Sequence, residues 1–307
     1  MKRIYKSIWD WDDIDLPLIS ELSSQYRHDP KSLLGVDADD AEHITSRITR
    51  FLADYPKSCG LKGYVIGMSG GIDSALSATL AVKAVGKENV YGMLLPSMFT
   101  SGEHMDDALL VAGQLGIRVN DYKMVQQSFD KAVGLTMLMS ELPESHPKYR
   151  LLVGNNHARE RMKILRGKAS SLDSLVLGTT NLTESWLGYA TIAGDGYRGV
   201  DIEPILQLPK TSERLYARHV GIPGRIIAKA PTAGLWEGQT DEGEIGMAYE
   251  NIDLLMVGLM VHLTVDEIVS INKGAFSKEE AEKVLALAER NVFKAKSEPF
   301  ADLSVGQ

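Results

Sequence analysis

Ser69, Gly70, Gly71, Asp73 and Ser74 crowd into six positions directly after the apolar run Tyr64-Val-Ile-Gly-Met. Adjacent glycines let a backbone approach a phosphate chain closely. The amides of a turn that opens a helix point at such an anion with the positive end of the helix dipole behind them. Ser69 and Ser74 add hydroxyl donors, and Asp73 can hold a magnesium ion against the same phosphates or cap the helix, two roles that can coexist. The Walker pattern G-x-x-x-x-G-K-[ST] is absent, because no lysine follows Gly71 and the spacing is too short. The stretch therefore reads as an anion cradle of another kind.

Such a cradle needs a strand before it and a helix after it, and the pattern supplies both. The spacing predicts strand 64–68, helix 74–85, strand 89–95, helix 104–115 and strand 117–122, then helices over 126–139 and 155–169 separated by Pro143 and Pro147. Ser174–Leu177 reads as a further buried strand and Asn181–Tyr189 as a helix. A helix over 211–219 ends at Gly221-Ile-Pro223. Upstream, Ile44, Ile48, Phe51, Leu52 and Tyr55 follow helical spacing that stops near Pro56. Thr264-Val-Asp-Glu267 and Ser277-Lys-Glu-Glu280 fit capping boxes before apolar-periodic runs. Alternating short strands and helices build right-handed crossovers, and ligands gather at the carboxyl ends of the parallel strands. The fold class is α/β, a doubly wound parallel sheet flanked by helices, with helical N- and C-terminal appendages.

The 307 residues are enough for one large domain, divided as an N-terminal helical arm (1–60), an α/β core (61–230), a mobile lid loop (231–246) and C-terminal helices (247–307). A formal charge of −8 argues against a broad nucleic-acid footprint. Cys59 is the only cysteine, which excludes an internal disulfide or a paired-cysteine zinc site. No apolar run reaches the roughly 18–20 residues of a membrane helix, and the start lacks a signal-peptide core, so the expectation is a cytoplasmic protein without a membrane partner.

Beyond the cradle, several segments fall in one order: Asn155-Asn-His-Ala-Arg-Glu-Arg-Met162, Gly178-Thr-Thr-Asn-Leu-Thr-Glu184, Gly194-Asp-Gly196, Asp201-Ile-Glu-Pro204, Lys210-Thr211 and Pro231-Thr-Ala-Gly-Leu-Trp-Glu-Gly-Gln-Thr-Asp-Glu242. With Ser69–Ser74, they make the chain resemble the ammonia-dependent NAD synthetases. These belong to the N-type ATP pyrophosphatases, which carry a PP-loop of the form S-G-G-x-D-S on a Rossmann-like, adenine nucleotide alpha-hydrolase-like fold. The resemblance runs from about Ile44 to Asp253. It implies a C–N ligase that amidates deamido-NAD with ATP and ammonia through an acyl-adenylate. A carboxylate is a poor electrophile, and adenylation gives it a leaving group.

The resemblance further implies that Gly67, Met68, Ser69, Gly70, Gly71, Ile72, Asp73 and Ser74 hold the ATP phosphates, and that Asp73 and Glu184 are the Mg²⁺ carboxylates. Thr179, Lys210 and Thr232 match further ATP contacts, with Lys210 serving the phosphates as a point charge and Asp73, Lys210 and Glu184 forming the catalytic set. Arg159, Asp195, Asp201 and Lys294 match the deamido-NAD side. For Asp195 a plain turn role is the alternative, for Asn155 a helix cap, and for Arg161 ion pairing or helix packing. A homodimer with deamido-NAD near the subunit interface is also implied. The family's C-terminal His-Lys-Arg triplet stands here as Phe293-Lys294-Ala295, and its lysine before the Gly-Asp-Gly turn as Ile192. The departures fall on the substrate side. Cys59 lacks an amidase nucleophile context, which favours external ammonia, free or from a separate glutaminase. The alternatives are another synthetase component of the superfamily and a non-catalytic ATP-binding protein.

Overall fold

The computed structural model describes residues 29–295 apart from 124, 197, 235 and 237. The expectation for residues 1–28 and that for the chain beyond 295 lie outside the described residues. Four parallel strands, β1 (Tyr64–Gly67), β2 (Val90–Met93), β3 (Arg118–Val119) and β4 (Leu175–Leu177), form one sheet in the order β3-β2-β1-β4. The register pairs Tyr64 with Val90 on one side and with Leu175 on the other. The order reverses at β1, which is where a crevice opens beyond the strand ends.

Alternation along the strands divides the core. Tyr64, Ile66, Leu94, Leu175 and Leu177 face α1 (Ala38–Ser58), α2 (Ile72–Val85) and α7 (Lys210–His219), whereas Val65, Met93 and Val176 face α5 (Tyr149–Ser171). A second helical core joins α6 (Leu182–Leu187), α10 (Tyr249–Met260), α11 (Val265–Ile271) and α12 (Lys278–Asn291). The remaining helices are α3 (Gly102–Leu115), α4 (Val125–Met139), α8 (Gly224–Ile227) and α9 (Asp241–Ile245). The capping boxes at Thr264 and Ser277 open α11 and α12 as expected.

Some element boundaries differ from the sequence pattern. Helix α1 runs through Pro56 to Ser58, although a proline leaves the carbonyl four residues earlier without its helical donor. That carbonyl belongs to Leu52, and the buried Tyr64 hydroxyl donates to it at 2.8 Å. Strand β3 is shorter than 117–122, because Asn120 takes over with its side chain. Its Oδ1 accepts from Leu94 N at 2.7 Å and its Nδ2 donates to Leu94 O at 3.0 Å, an amide standing in for a ladder pair. Helix α5 starts six residues earlier than 155, which places Asn155 inside it and not at its cap. Helix α1 packs directly on α2.

Candidate active site

The turn between β1 and α2 is built before any ligand arrives. Gly70 has φ +79°, and a Cβ there would lie 2.1 Å from the His104 carbonyl oxygen at the start of α3, so only glycine fits. The Ser69 and Ser74 hydroxyls lie 3.0 Å apart; Ser69 Oγ accepts from Gly71 N at 3.2 Å, and Ser74 Oγ donates to Gly71 O at 3.1 Å. The serines thus hold the loop's own shape. Gly71 is the N-cap of α2 with no side chain capping it, which leaves the helix N-terminus facing the crevice. Asp73 is therefore one turn residue inside the helix, not its cap.

Beneath Asp73 lies a buried charge cluster. Lys210 Nζ is 2.5 Å from Asp73 Oδ1, 3.1 Å from Glu213 Oε2 and 3.9 Å from Glu184 Oε1. Asn181 Nδ2 donates to Asp73 Oδ1 at 2.9 Å, while its Oδ1 accepts from Glu184 N, so one residue caps α6 and aims both carboxylates. Asp253 accepts from the Thr183 hydroxyl and from Thr211 N at 2.7 Å, and Thr183 Oγ1 accepts from Lys210 N, fixing the start of α7.

Burial alone would depress the Lys210 ammonium, but Asp73, Glu213 and Glu184 raise its pKa well above the usual lysine range. Burial opposes ionisation of Asp73 too, and Lys210 overcomes it, holding that carboxyl below its ordinary value. Glu184 and Glu213 are pushed well up, first by burial and then by the Asp73 charge. With three carboxylates around one ammonium, the cluster favours added positive charge. Among the described residues no group of three or more His, Cys, Asp or Glu is arranged to hold a metal ion by itself. A magnesium ion fits as a guest of Asp73 and Glu184, completed by phosphate oxygens and water, which is the usual donor set for that ion.

A cavity of about 280 Å³ opens above, lined by the turn, Thr179, Glu184, Asp195, Thr232 and Asp241. Thr179 lines it at a corner kept by Glu203, whose carboxylate accepts from Thr180 N at 2.9 Å and Thr180 Oγ1 at 2.8 Å. The loop from Pro231 lines it as well. Asp241 Oδ1 accepts from Ala233 N at 2.9 Å, and Asp241 N donates to Pro231 O at 3.1 Å, cinching the loop's two ends together.

Of the residues expected on the substrate side, the structure brings Asp195 to this cavity and leaves three outside its lining. Asp195 Oδ1 also accepts from Thr191 N at 2.7 Å, so the turn role and the cavity position coexist. Asp201 spans Val176 N and the Arg166 guanidinium, both at 2.7 Å, and fastens the chain to the edge of β4. Lys294 donates to the Gly188 and Ala190 carbonyls. Arg159 is exposed and reaches Ile192 O. Lys210, expected to serve the phosphates as a point charge, is fully buried and meets the carboxylates of Asp73, Glu213 and Glu184.

Arg161, read as packing or pairing, lines the cavity, with Nε donating to Leu95 O and its guanidinium over the Phe129 ring. Glu213 and Asp241 were missed by the motif reading. The signal for Glu213 was present: it lies three residues after Lys210, on the helix stripe continued by Tyr216 and Ala217, where an apolar residue belongs.

A glycine turn at the switch point of a parallel sheet, backed by a Lys–carboxylate cluster, defines a nucleotide-binding protein of the adenine nucleotide alpha-hydrolase-like class. Residues 44–298 match the family NAD synthase, and the chain belongs to it. It is 41% identical over 265 residues to the NH(3)-dependent NAD(+) synthetase of Methanosarcina mazei, covering 86% of this chain and 99% of that one. With the NH(3)-dependent NAD(+) synthetase of Thermococcus kodakarensis the identity is 41% over 249 residues, 80% and 92% of the two chains. Among solved structures, NMN synthetase from Francisella tularensis superposes with a TM-score of 0.71 at 30% identity, covering 86% and 99%. The NH3-dependent NAD synthetase from Campylobacter jejuni, in complex with the nitrate ion, gives 0.68 at 27%, covering 86% and 100%.

Proposed function

We propose that the chain amidates the nicotinate carboxylate of deamido-NAD, using ATP and ammonia and releasing AMP and pyrophosphate. The observation that carries this is the joining of the Ser69–Ser74 turn with the Asp73–Lys210–Glu184 cluster at one end of the sheet, in a chain matched along residues 44–298 to its family. A carboxylate oxygen attacks the α-phosphorus and expels pyrophosphate. Ammonia then adds to the acyl carbon of the adenylate, loses a proton, and expels AMP.

The turn amides and the N-terminus of α2 bind the phosphates and stabilise charge developing on the departing pyrophosphate. Asp73 and Glu184 would hold Mg²⁺, which when bound neutralises phosphate charge. Lys210 fixes Asp73 from below, and Asn181 aims both carboxylates. Thr179 and Thr232, which both line the cavity, bind the nucleotide, and the segment 231–246 serves as a lid that keeps water from the adenylate. Arg159, Asp195, Asp201 and Lys294 remain the proposed deamido-NAD side, with Arg159 offering an exposed guanidinium for a carboxylate or phosphate. A homodimer is supported by the exposed Leu135, Leu138 and Met139 of α4 beside Leu151 of α5. Among the described residues no helix is long and apolar enough to cross a membrane.

The test is a product assay with ATP, Mg²⁺ and either ammonium or glutamine, run on deamido-NAD and on nicotinate mononucleotide. NAD, AMP and pyrophosphate are expected from deamido-NAD with ammonium, and Asp73→Asn should abolish AMP release while its circular dichroism matches the parent. ATP binding without AMP release in the parent protein points instead to a nucleotide sensor.

A further inference from the structure

We propose that Glu213 is a positioning residue that draws the Lys210 ammonium away from the cavity and so leaves Asp73 and Glu184 the negative charge needed for a divalent cation. The inference rests on the metal-site reading above. Glu213 is fully buried on α7, and its Oε2 lies 3.1 Å from Lys210 Nζ and 3.5 Å from Asn181 Nδ2. Its other oxygen, Oε1, accepts from no donor among the described residues, and the carboxyl lies against that of Asp73.

A buried carboxylate with an unpaired oxygen is a poor choice for stability, and an apolar side chain of similar volume would serve the core better. What Glu213 does have is position. It sits three residues on from Lys210 on α7 and outside the cavity lining, whereas Asp73 and Glu184 both line the cavity. Without Glu213, the ammonium belongs to Asp73 and Glu184 alone and competes with a cation for both. With it, Lys210 is shared with a partner that does not line the cavity. Removing Glu213 still leaves Lys210 paired at 2.5 Å with Asp73, so no buried charge is orphaned.

The experiment compares Glu213→Leu, Glu213→Gln and Asp73→Asn with the parent protein. Its readouts are calorimetric binding of Mg²⁺·ATP to metal-free protein, thermal unfolding without metal, and Mg²⁺ titrations of activity. Glu213→Leu should unfold at or above the parent temperature, yet weaken Mg²⁺·ATP binding and raise the half-saturating Mg²⁺ by ~10-fold, the lower range for an outer-shell partner. The KM for deamido-NAD should not move. Glu213→Gln, which keeps an acceptor oxygen, should fall between.

Parental Mg²⁺·ATP affinity in Glu213→Leu overturns the proposal, as does a matching rise in the KM for deamido-NAD, which marks general damage. If Glu213→Leu does not fold, Glu213→Gln decides: unchanged affinity overturns the proposal and a weakened one supports it. Parental affinity in Asp73→Asn instead refutes the metal-site reading, and this inference with it.

Discussion

Replacing Lys210 by methionine leaves Asp73, Glu184 and Glu213 facing one another in a buried pocket with Asn181 as their nearest donor. Methionine fills nearly the same volume, so the loss is electrostatic. Removing one partner of a buried ion pair costs ~3–5 kcal/mol. For 307 residues, an unfolding entropy of ~2.1 cal/mol/K per residue gives ~0.6 kcal/mol per degree, so Tm should fall by ~5–8 °C at neutral pH without metal.

The pH dependence separates this cause from lost packing. Lys210 has a raised pKa, so its contribution is fully present below the ordinary lysine range and constant from pH 5 to 8. Glu184 and Glu213 are raised in the parent already, so their cost is common to both proteins, whereas Asp73, held down chiefly by Lys210 against burial, is pushed up in Lys210→Met and destabilises that variant alone once pH climbs above the ordinary aspartate value. The gap between parent and Lys210→Met should therefore widen as pH rises through that window and narrow in acid. Thermal and urea unfolding at pH 5, 6.5 and 8, followed by circular dichroism, measure it. A gap that is constant, or that widens toward acid, refutes the reasoning.

Two other perturbations follow from single contacts. Gly70→Ala puts a methyl against a backbone carbonyl at a positive φ, which costs ~1–2 kcal/mol for the dihedral alone; α3 must also move off the turn, and calorimetry should show ATP binding lost in a folded protein. Burial pushes the Glu203 carboxyl from 4.5 up to about 8 against the donors of Thr180, so its ionisation destabilises increasingly across that range. Glu203→Gln should gain on the parent by up to ~1.4 kcal/mol per pH unit between those values, and a pH-independent difference in urea midpoints refutes the assignment.

The parallel sheet, the cradle and most helices were legible because each is written locally: short apolar strands, a glycine pair, prolines at 143 and 147, and capping boxes at 264 and 277. The departures came from side chains replacing backbone. Asn120 imitates a strand, and Tyr64 supplies the donor that Pro56 lacks. Within the site, Asp73, Glu184 and Lys210 were recognised by motif. What motifs cannot give is direction: Lys210 points into carboxylates, and Asp201 to the edge of β4, because partners 137 and 25 residues away decide where a long side chain ends.

The pairing of Tyr64 with Leu175 spans more than a hundred residues, closed only after α4 and α5 have been made. Long-range parallel pairing is slow to form, since loop entropy must be lost before the contact rewards it. During synthesis, a chain that has emerged through β2 already carries the whole glycine turn, yet it has neither the second neighbour of β1 nor any lysine facing Asp73. An early phosphate-binding loop on an unfinished sheet would be a liability in a cell rich in ATP. At that stage Asp73 still lacks its counter-ion, and the charge cluster behind the turn is complete only when α7 docks with Lys210 and Glu213.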